Sequence, residues 1–326
     1  MEGKRAGPGI QGKRQVRCRP RRYFEGSKNE EVVVPKRSQG MLTSGDGGGI
    51  YPAVQGWHPL KSGGFSAIGL PLPMSTNKKI AVVIPSYKAA DTLSDVIDSL
   101  PDELPEFGVA IIVHDCSPDR TGEVADDLAR RHEHVEVVHH TRNRGYGGAL
   151  KSGLRRGYEL GCDIFPIVHS DGQYAPGLAL ELCEPIARGE AEIVQGSRMK
   201  GGGAREGGMP LTRYLPNKIL TTMENLTFGT DMAEFHSGYM VFSRHLLESV
   251  PYQDLQNNYN FDAEMIIMAH LCGYDCVEVP IPTRYDDETS SLNPIPYGLN
   301  VLRMMWRYTV GHYLEMLDNH TAKNSV

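Results

Sequence analysis

A short stretch near the middle of the chain carries the residues best suited to chemistry. An apolar run at 164–168 is followed at once by His169, Asp171 and Gln173. Buried parallel strands are continuous apolar runs, and ligands of open α/β sheets bind just beyond the carboxyl ends of such strands. A carboxylate there, with nitrogen and oxygen donors at alternate positions, can hold a divalent cation against a diphosphate. The pattern predicts an enzyme that acts on a nucleotide-linked substrate.

Two other apolar runs end in polar segments that could contribute to the same site. The first ends in Pro85-Ser86-Tyr87, where the proline cannot continue a strand ladder and the chain must turn. The second ends at Asp115, a carboxylate placed to accept from a nucleobase N–H or a ribose hydroxyl. Asp115 and Asp119 could equally make the turn and cap the next helix, so both interpretations stay open.

A glycine-rich segment, 142–149, opens a predicted helix. Glycines such as Gly145 and Gly148 let a ligand approach the backbone, and the amides at a helix N-terminus attract phosphate oxygens. Arg142 or Arg144 could add a charge-assisted contact. The segment has neither the lysine pattern of a P-loop nor a G-x-G-x-x-G run, so it indicates little by itself.

The elements that position these segments alternate along the chain. Strands are predicted at 80–84, 109–113, 135–138, 164–168 and 193–196, with helices at 91–100, 121–131 and 146–160. This alternation is typical of a mostly parallel sheet with helices on both faces. We expect one α/β domain over residues 77–326. Residues 1–76, rich in Gly, Pro and basic side chains, are predicted to form a disordered arm.

The charge distribution excludes one class of partner. Residues 1–40 contain 11 Lys or Arg and 4 Asp or Glu, so the remainder has 23 basic against 36 acidic side chains and a net charge of −13. An acidic body does not suit nucleic acid, whose phosphates need a basic face. The start of the chain lacks a secretory pattern, and no run of about 18 apolar residues occurs, which predicts a cytoplasmic protein without a transmembrane segment.

The polar segments fall in order at successive strand ends, and together they carry a family resemblance. The chain from about Lys78 to Tyr308 resembles a family-2 glycosyltransferase, and most of all the branch that contains dolichol-phosphate mannose and glucose synthases. The resemblance rests on the segments 83–87, 115–121, 143–149, 170–174, 196–198, 236–239 and 260–264.

The resemblance implies a glycosyltransferase A-type fold, a UDP- or GDP-hexose donor, Mg²⁺ or Mn²⁺, and inversion at the anomeric carbon. It places the nucleoside on Pro85, Tyr87 and Asp115, and the rest of the nucleotide sugar near Arg144, Gly145, Gly148 and Ser170. It also assigns Asp171 and Gln173 to the metal diphosphate and Arg198 to the donor pocket.

Three positions depart from the family pattern. Lys88-Ala89 stands where Asn-Glu is usual, His114 replaces the first strand-end carboxylate, and His169 replaces the first aspartate of the metal motif. Imidazole is an acceptable ligand for Mn²⁺, whereas Mg²⁺ prefers oxygen ligands. His169 is therefore either a metal ligand or only a hydrogen-bond donor to ribose or diphosphate.

The acceptor decides whether a general base is needed. A hydroxyl acceptor must lose its proton, whereas a polyprenyl phosphate is already an anionic nucleophile. Asp262 and Glu264 are candidate bases, and their i, i+2 spacing turns them to different faces of a helix. Alternatively, Asp262 caps that helix. Arg213 and Arg284 are the cations predicted to meet an acceptor phosphate.

An apolar helix is predicted near the C-terminus, at about 295–318. Arg303, Arg307 and nearby aromatic residues suit a membrane interface, while a core-packing or dimer helix is the alternative. We therefore expect transfer of a hexose to a polyprenyl or dolichyl phosphate at the membrane surface. The alternatives are a soluble hydroxyl acceptor, a non-catalytic nucleotide-sugar-binding protein and a nucleotidyltransferase.

Overall fold

The computed structural model describes residues 32–33, 78–206, 208–282 and 294–323. The predicted N-terminal arm, apart from Val32–Val33, and Arg284 lie outside the described residues. Within the described ranges, no helix is both long and apolar enough to cross a bilayer.

The centre of the protein is one mixed sheet of eight strands, in the order β1-β4-β3-β2-β5-β7-β6-β8. The strands are β1 (Val32–Val33), β2 (Ile80–Ser86), β3 (Gly108–His114), β4 (Val135–His140), β5 (Ile164–Pro166), β6 (Ile193–Ser197), β7 (Met240–Ser243) and β8 (Val277–Pro280). Strands β1 and β7 pair antiparallel with their neighbours, and the other pairings are parallel. The predicted α/β class is confirmed.

Helices cover both faces of the sheet. They are α1 (Leu93–Asp98), α2 (Leu104–Phe107), α3 (Thr121–Arg131), α4 (Tyr146–Glu159), α5 (Ala179–Ala187), α6 (Gly203–Glu206), α7 (Leu211–Phe228), α8 (Arg244–Ser249), α9 (Phe261–Leu271), α10 (Pro294–Thr309) and α11 (His312–Lys323). The single helix predicted at about 295–318 is wrong. It is two helices, because Gly311 has a φ of 80° that ends the first one.

The core lies on both sides of the sheet, because alternate residues of β2 face opposite ways. Ala81 and Val83 pack under α4, whereas Ile80, Val82 and Ile84 pack with α1, α3 and α5. Two glycines of α4 bring that helix close to the sheet. A Cβ at Gly153 would lie 2.3 Å from Val83 Cγ1, and one at Gly157 would lie 2.6 Å from the Ala81 Cβ. This packing fixes the start of α4 relative to the strand ends.

Candidate active site

The carboxyl ends of the central strands are tied together by short polar contacts. Ser170 Oγ donates to the Pro85 carbonyl oxygen over 2.9 Å, and Thr92 Oγ1 donates to the Ser170 carbonyl oxygen over 2.6 Å. The Asp115 amide donates to the Ser86 carbonyl oxygen over 3.1 Å. Pro85, Asp115 and Ser170 therefore meet at the carboxyl ends of the central strands, with the half-exposed Tyr87 ring beyond them. That exposed ring is free to stack on a nucleobase.

The buried Asp115 carboxylate organises the loop that begins α4. It accepts from the Arg144 amide over 2.8 Å and from the Gly145 amide over 2.9 Å. Its third partner is His140 Nδ1, 2.6 Å away. Asp119, by contrast, makes the turn, as the alternative interpretation expected, because it accepts from the Thr121 amide and hydroxyl. The nucleoside-binding role of Asp115 stays a prediction.

The glycines at the start of α4 have a packing role that the sequence interpretation missed. A Cβ at Gly145 would lie 2.6 Å from the Asn257 carbonyl oxygen, and one at Gly147 would lie 2.5 Å from the Gln256 carbonyl oxygen. The Gly147 amide donates to Asn257 O over 2.9 Å. A Cβ at Gly148 would meet Arg144 Cβ at 2.7 Å. The close approach at Gly145 and Gly147 is therefore that of the protein's own backbone, and the role of Gly145 and Gly148 as ligand contacts stays a prediction.

A hydrogen-bonded chain of three side chains crosses the site. Tyr146 Oη donates to Asp262 Oδ2 over 2.9 Å and lies 3.1 Å from His169 Nε2. The phenol has a single proton and uses it on Asp262, so His169 Nε2 is the donor to the phenol oxygen. Tyr146 also stacks on Tyr259, with ring centroids 5.4 Å apart. No feature of the sequence distinguishes Tyr146 from the other residues of its motif.

Asp262 is a buried carboxylate that uses one of its two oxygens, Oδ2, in a hydrogen bond. Among the residues that the structure describes, its Oδ1 atom has no hydrogen-bond partner, and Asn260, not Asp262, is the N-cap residue of α9. The capping alternative is therefore wrong. Burial raises the pKa of Asp262 from 3.8 to about 7, although the hydrogen bond from Tyr146 opposes the shift. A carboxylate whose pKa lies near neutrality suits a general base.

The other two side chains of the hydrogen-bonded chain, Tyr146 and His169, are neutral near pH 7. Burial, followed by the nearby Asp262 charge, holds the pKa of Tyr146 well above its ordinary value. Burial lowers the pKa of His169, although the Asp171 charge opposes it. A neutral imidazole and a neutral phenol leave Asp262 as the group in this chain that titrates near neutrality.

Asp171 lies exposed at the rim, beyond the end of β5. Its Oδ1 accepts from the Gln173 amide over 3.0 Å. In the part of the chain that the structure describes, no three His, Cys, Asp or Glu side chains are grouped to hold a metal. Mg²⁺ commonly binds through one or two carboxylates and the phosphates of a substrate. Asp171 fits that arrangement, with Gln173 beside it.

One ring nitrogen of His169, Nε2, is engaged inside the protein, and the predicted role of His169 as a metal ligand stays a prediction. That nitrogen lies 3.1 Å from the Tyr146 hydroxyl and faces the interior. The alternative prediction is that His169 donates a hydrogen bond to ribose or diphosphate. In the structure, His169 Nε2 donates to the Tyr146 hydroxyl instead. The structure gives His169 a contact with Tyr146 that neither interpretation anticipated.

Gly238 leaves room for the His169 ring. A Cβ at this position would lie 2.5 Å from His169 Nε2 and 3.2 Å from Tyr146 Oη. We therefore expect Gly238→Ala to displace the imidazole, to destabilise the fold by about 1–3 kcal/mol and to slow catalysis by roughly a hundredfold. Urea unfolding and initial rates measure the two effects. Gly177→Ala is the control, because its Cβ would have 3.7 Å to the nearest atom. Equal rates for the two variants would contradict this account.

Arg198 directly follows β6, and contacts with Glu234 and His236 hold its side chain in place. Its guanidinium forms an ion pair with the buried Glu234 and donates to the His236 carbonyl oxygen over 2.8 Å. His236 Nδ1 lies 2.8 Å from Tyr297 Oη, and His236 Nε2 lies 3.2 Å from the buried Glu224. This polar cluster was not anticipated beyond Arg198. The donor-pocket role of Arg198 stays a prediction.

Glu264, the second candidate base, belongs to a different part of the protein. It is fully buried and accepts from Arg307 Nη1 over 3.0 Å and from Tyr313 Oη over 2.7 Å. Gln256 donates to it through its amide over 2.7 Å and through Nε2 over 2.9 Å. Four donors saturate this carboxylate, so its predicted role as a base is not supported. It joins α9 to α10 and α11.

Glu264→Gln is expected to destabilise the protein by about 3 kcal/mol, because it leaves the partly buried Arg307 guanidinium without its counter-charge. Equilibrium unfolding in urea measures the loss. Glu123→Gln, which breaks the exposed pair with Arg120, should cost no more than about 1 kcal/mol. A loss for Glu264→Gln as small as that of the control would show that this pair does not hold the helices together.

The remaining predicted residue in the described ranges is Arg213. It is exposed on α7, outside the group of residues tied together at the strand ends. The structure thus brings together the strand-end residues, His169, Tyr146 and Asp262, and it separates Glu264 from them.

Comparisons with known proteins identify the family. The model of the family "Glycosyl transferase family 2" matches residues 81–250. UDP-N-acetylglucosamine–dolichyl-phosphate N-acetylglucosaminyltransferase of Methanococcus voltae is 30% identical over 223 residues, covering 65% of this chain and 88% of that protein. Undecaprenyl-phosphate mannosyltransferase of Micrococcus luteus is 29% identical over 204 residues, covering 62% of this chain and 82% of that protein.

Among solved structures, mannosyl-3-phosphoglycerate synthase from Rubrobacter xylanophilus superposes with a TM-score of 0.54 at 18% identity. The match covers 72% of this chain and 74% of that structure, and it concerns the fold alone. Together with the family match and the strand-end site, these similarities lead to one conclusion: the chain belongs to glycosyl transferase family 2 and is a glycosyltransferase.

Proposed function

We propose that this protein transfers a hexose, with inversion, from a UDP- or GDP-sugar to a polyprenyl or dolichyl phosphate. One observation carries the proposal: a buried carboxylate, Asp262, is linked through Tyr146 to His169, which lies two residues before the exposed carboxylate Asp171 at the end of β5. The relatives from Methanococcus voltae and Micrococcus luteus, whose names specify transfer to dolichyl and undecaprenyl phosphate, support the acceptor class.

The donor would be held along the carboxyl ends of the central strands. Tyr87 would stack on the base, while Asp115 would keep the loop at Arg144 in place. Asp171 and Gln173 would hold a divalent cation, Mg²⁺ or Mn²⁺, against the diphosphate. Such a cation, when bound, neutralises the charge that builds up on the leaving diphosphate. The imidazole of His169 is kept in place by Tyr146 and Gly238.

The reaction breaks the bond between the anomeric carbon and the diphosphate and forms a bond from that carbon to an acceptor oxygen. For inversion, the acceptor must approach from the face opposite the diphosphate. Asp262 Oδ1 is the atom free to take a proton from the acceptor, while Tyr146 holds Oδ2 and fixes the direction of the carboxylate. The nucleoside diphosphate leaves toward the rim at Asp171.

A phosphate acceptor needs little deprotonation by Asp262. The second pKa of a phosphate monoester is about 6, so most of the acceptor is dianionic at pH 7. Asp262 then needs to remove a proton only from the remaining monoanion. Its buried position also keeps solvent water, a competing nucleophile, away from the free oxygen.

The test is incubation of the protein with labelled UDP- and GDP-sugars and a polyprenyl phosphate, in the presence of Mg²⁺ or Mn²⁺. We expect labelled product that partitions into organic solvent and that depends on the phosphate group of the lipid. Label that moves only to water-soluble acceptors, or no transfer with any donor, would falsify the assignment.

One observation favours a second candidate, a glycosyltransferase for a hydroxyl acceptor. An alcohol must be deprotonated as it attacks, and a buried carboxylate with a pKa of about 7 suits that task. The same assay separates the two acceptors, because a polyprenol without its phosphate would then serve as well as the polyprenyl phosphate.

A further inference from the structure

Two histidines face each other at the carboxyl ends of β3 and β4. His114 ends β3, His139 lies opposite it in β4, and their Nδ1 atoms are 3.0 Å apart. Helix α3 leaves room for the first ring, because a Cβ at Gly122 would lie 2.9 Å from His114 Cε1. Asp126, one turn further along the same face of α3, lies 2.9 Å from His139 Nε2. Three elements therefore enclose this histidine pair.

The contacts of the histidine pair assign one proton to each ring. The Ser117 amide donates to His114 Nε2 over 3.0 Å, so that nitrogen keeps its lone pair and the proton of the neutral ring is on Nδ1. His114 Nδ1 then donates to His139 Nδ1, and the proton of His139 is on Nε2, directed at Asp126. Every ring nitrogen of the pair is used, and only while both rings are neutral. A further proton would set two N–H groups against each other, either between the rings or between His114 and the Ser117 amide.

Ser117 connects the histidine pair to the residues assigned to the nucleoside. Its hydroxyl accepts from the Lys88 amide over 2.8 Å and donates to Asp119 Oδ1 over 2.6 Å. Ser117 therefore ties the turn that follows Asp115 to the segment that carries Tyr87.

Both of the segments that Ser117 joins contain a strained residue. Lys88 has a φ of 54° and Cys116 has a φ of 51°, left-handed values that residues other than glycine seldom adopt. Such conformations persist only where the surrounding contacts hold them. Two of the three departures from the family pattern, His114 and Lys88, thus meet at Ser117, and the contacts of Ser117 hold the strained backbone on either side.

The surroundings of His114 favour its neutral form. Burial holds the pKa of His114 below its ordinary 6.5, and His139 of β4 adds to the shift, although the charges of Asp126 on α3 and Asp115 after β3 oppose it. The stability that the neutral ring contributes is fully present above about pH 6.5. It is lost as the pH falls from there through the lower pKa of the folded protein.

We propose that neutral His114 and His139 are positioning residues for the nucleotide sugar, acting through Ser117. Ser117 holds the Asp115 turn and the Tyr87 segment in the arrangement that binds the nucleotide. A proton gained by the pair releases the Ser117 amide and lets the strained backbone relax, so donor binding weakens as the pH falls below about 6.5. The inference deepens the proposed function and rests on it for the identity of the ligand.

Hydrogen exchange at the Ser117 amide tests the first step without any nucleotide. Between about pH 7.5 and about pH 5.5, its protection, corrected for the intrinsic exchange rate, should fall about tenfold in the wild type, as expected for the loss of one buried hydrogen bond. His114→Gln should show no such fall, because an amide side chain does not take up a proton in this range. His134→Gln is the matched control, since His134 pairs with His132 at the opposite end of β4, and it should behave as the wild type does. Wild-type protection that does not respond to pH, or that responds equally in His114→Gln, overturns the inference.

Calorimetry with UDP and with GDP, each in the presence of Mn²⁺, tests the second step. The affinity for the nucleotide that binds should fall about tenfold over the same pH range in the wild type and in His134→Gln, and by less than about twofold in His114→Gln. In steady-state rates, the pH effect that His114→Gln removes should lie in KM for the donor and not in kcat. Equal pH dependence of nucleotide affinity in the wild type and His114→Gln overturns the inference alone. A protein that binds neither nucleotide at about pH 7.5 overturns the proposed function.

Discussion

Asp171→Ala is expected to lower the rate of sugar transfer by about a thousandfold while the protein stays folded. Asp171 is the exposed carboxylate at the end of β5, and its loss removes the ligand that we assign to the cation and the diphosphate. Removal of a single electrostatic stabiliser of a developing charge typically costs a factor of 10² to 10³. Initial rates with saturating donor and Mn²⁺ measure the effect, and thermal unfolding verifies the fold.

The control for this variant is Asp127→Ala. Asp127 is also an exposed aspartate, paired with Arg130 and Arg131 on α3, away from the strand-end residues. It should keep the wild-type rate. If Asp171→Ala turned over as fast as Asp127→Ala, Asp171 would have no part in the reaction, and the diphosphate would have to be held elsewhere.

Asp262→Asn is expected to slow transfer to a hydroxyl acceptor by about a hundredfold at pH 7, the lower end of what general bases contribute, and to slow transfer to a polyprenyl phosphate by less than about tenfold, because most of that acceptor is already dianionic. Asparagine preserves the size of the side chain but cannot accept a proton. In the wild type, kcat/KM should rise with pH as the carboxyl ionises at about 7. With a hydroxyl acceptor the variant should lose that rise, whereas with a polyprenyl phosphate both proteins should keep the rise that belongs to the acceptor, near pH 6. A pH profile with the hydroxyl acceptor that the substitution leaves unchanged would remove Asp262 as the base.

The same substitution should stabilise the protein at high pH. The folded-state pKa of Asp262 is about 7 against an ordinary 3.8, so the fold favours the protonated form. The stability that this group contributes is fully present below about pH 4 and is lost as pH rises to about 7. Three pKa units correspond to about 4 kcal/mol, so Asp262→Asn should exceed the wild type by up to that amount at pH 8 and match it near pH 4. Urea unfolding at the two pH values measures the difference.

The strand ends of the site could be predicted from the sequence because buried parallel strands have a strong apolar signal. Helix α3 lies at its predicted bounds, and strand β3 extends one residue beyond its predicted run at each end. Once the strands are placed, a parallel sheet brings Pro85, Asp115 and Asp171 to one edge without any further information. The family resemblance covers the same segments, and the family match confirms it.

The partners of the side chains could not be predicted, because they come from distant parts of the chain. Asp262 and Glu264 are equivalent as candidates until Tyr146 is seen beside the first and Arg307 beside the second. Likewise, Gly147 indicates a close approach, but the sequence does not say whether a ligand or the Gln256 backbone makes it. Helix periodicity also continues through Gly311, so the break in the C-terminal helix depends on a backbone conformation that the apolar pattern does not encode.

The most direct test of the central claim is a crystal structure of the protein with an intact nucleotide sugar and Mn²⁺. We predict that Asp171 would bind the metal together with the diphosphate, with the anomeric carbon turned toward Asp262 Oδ1. A diphosphate bound away from Asp171, or a sugar that leaves Asp262 on the same face as the diphosphate, would contradict the account.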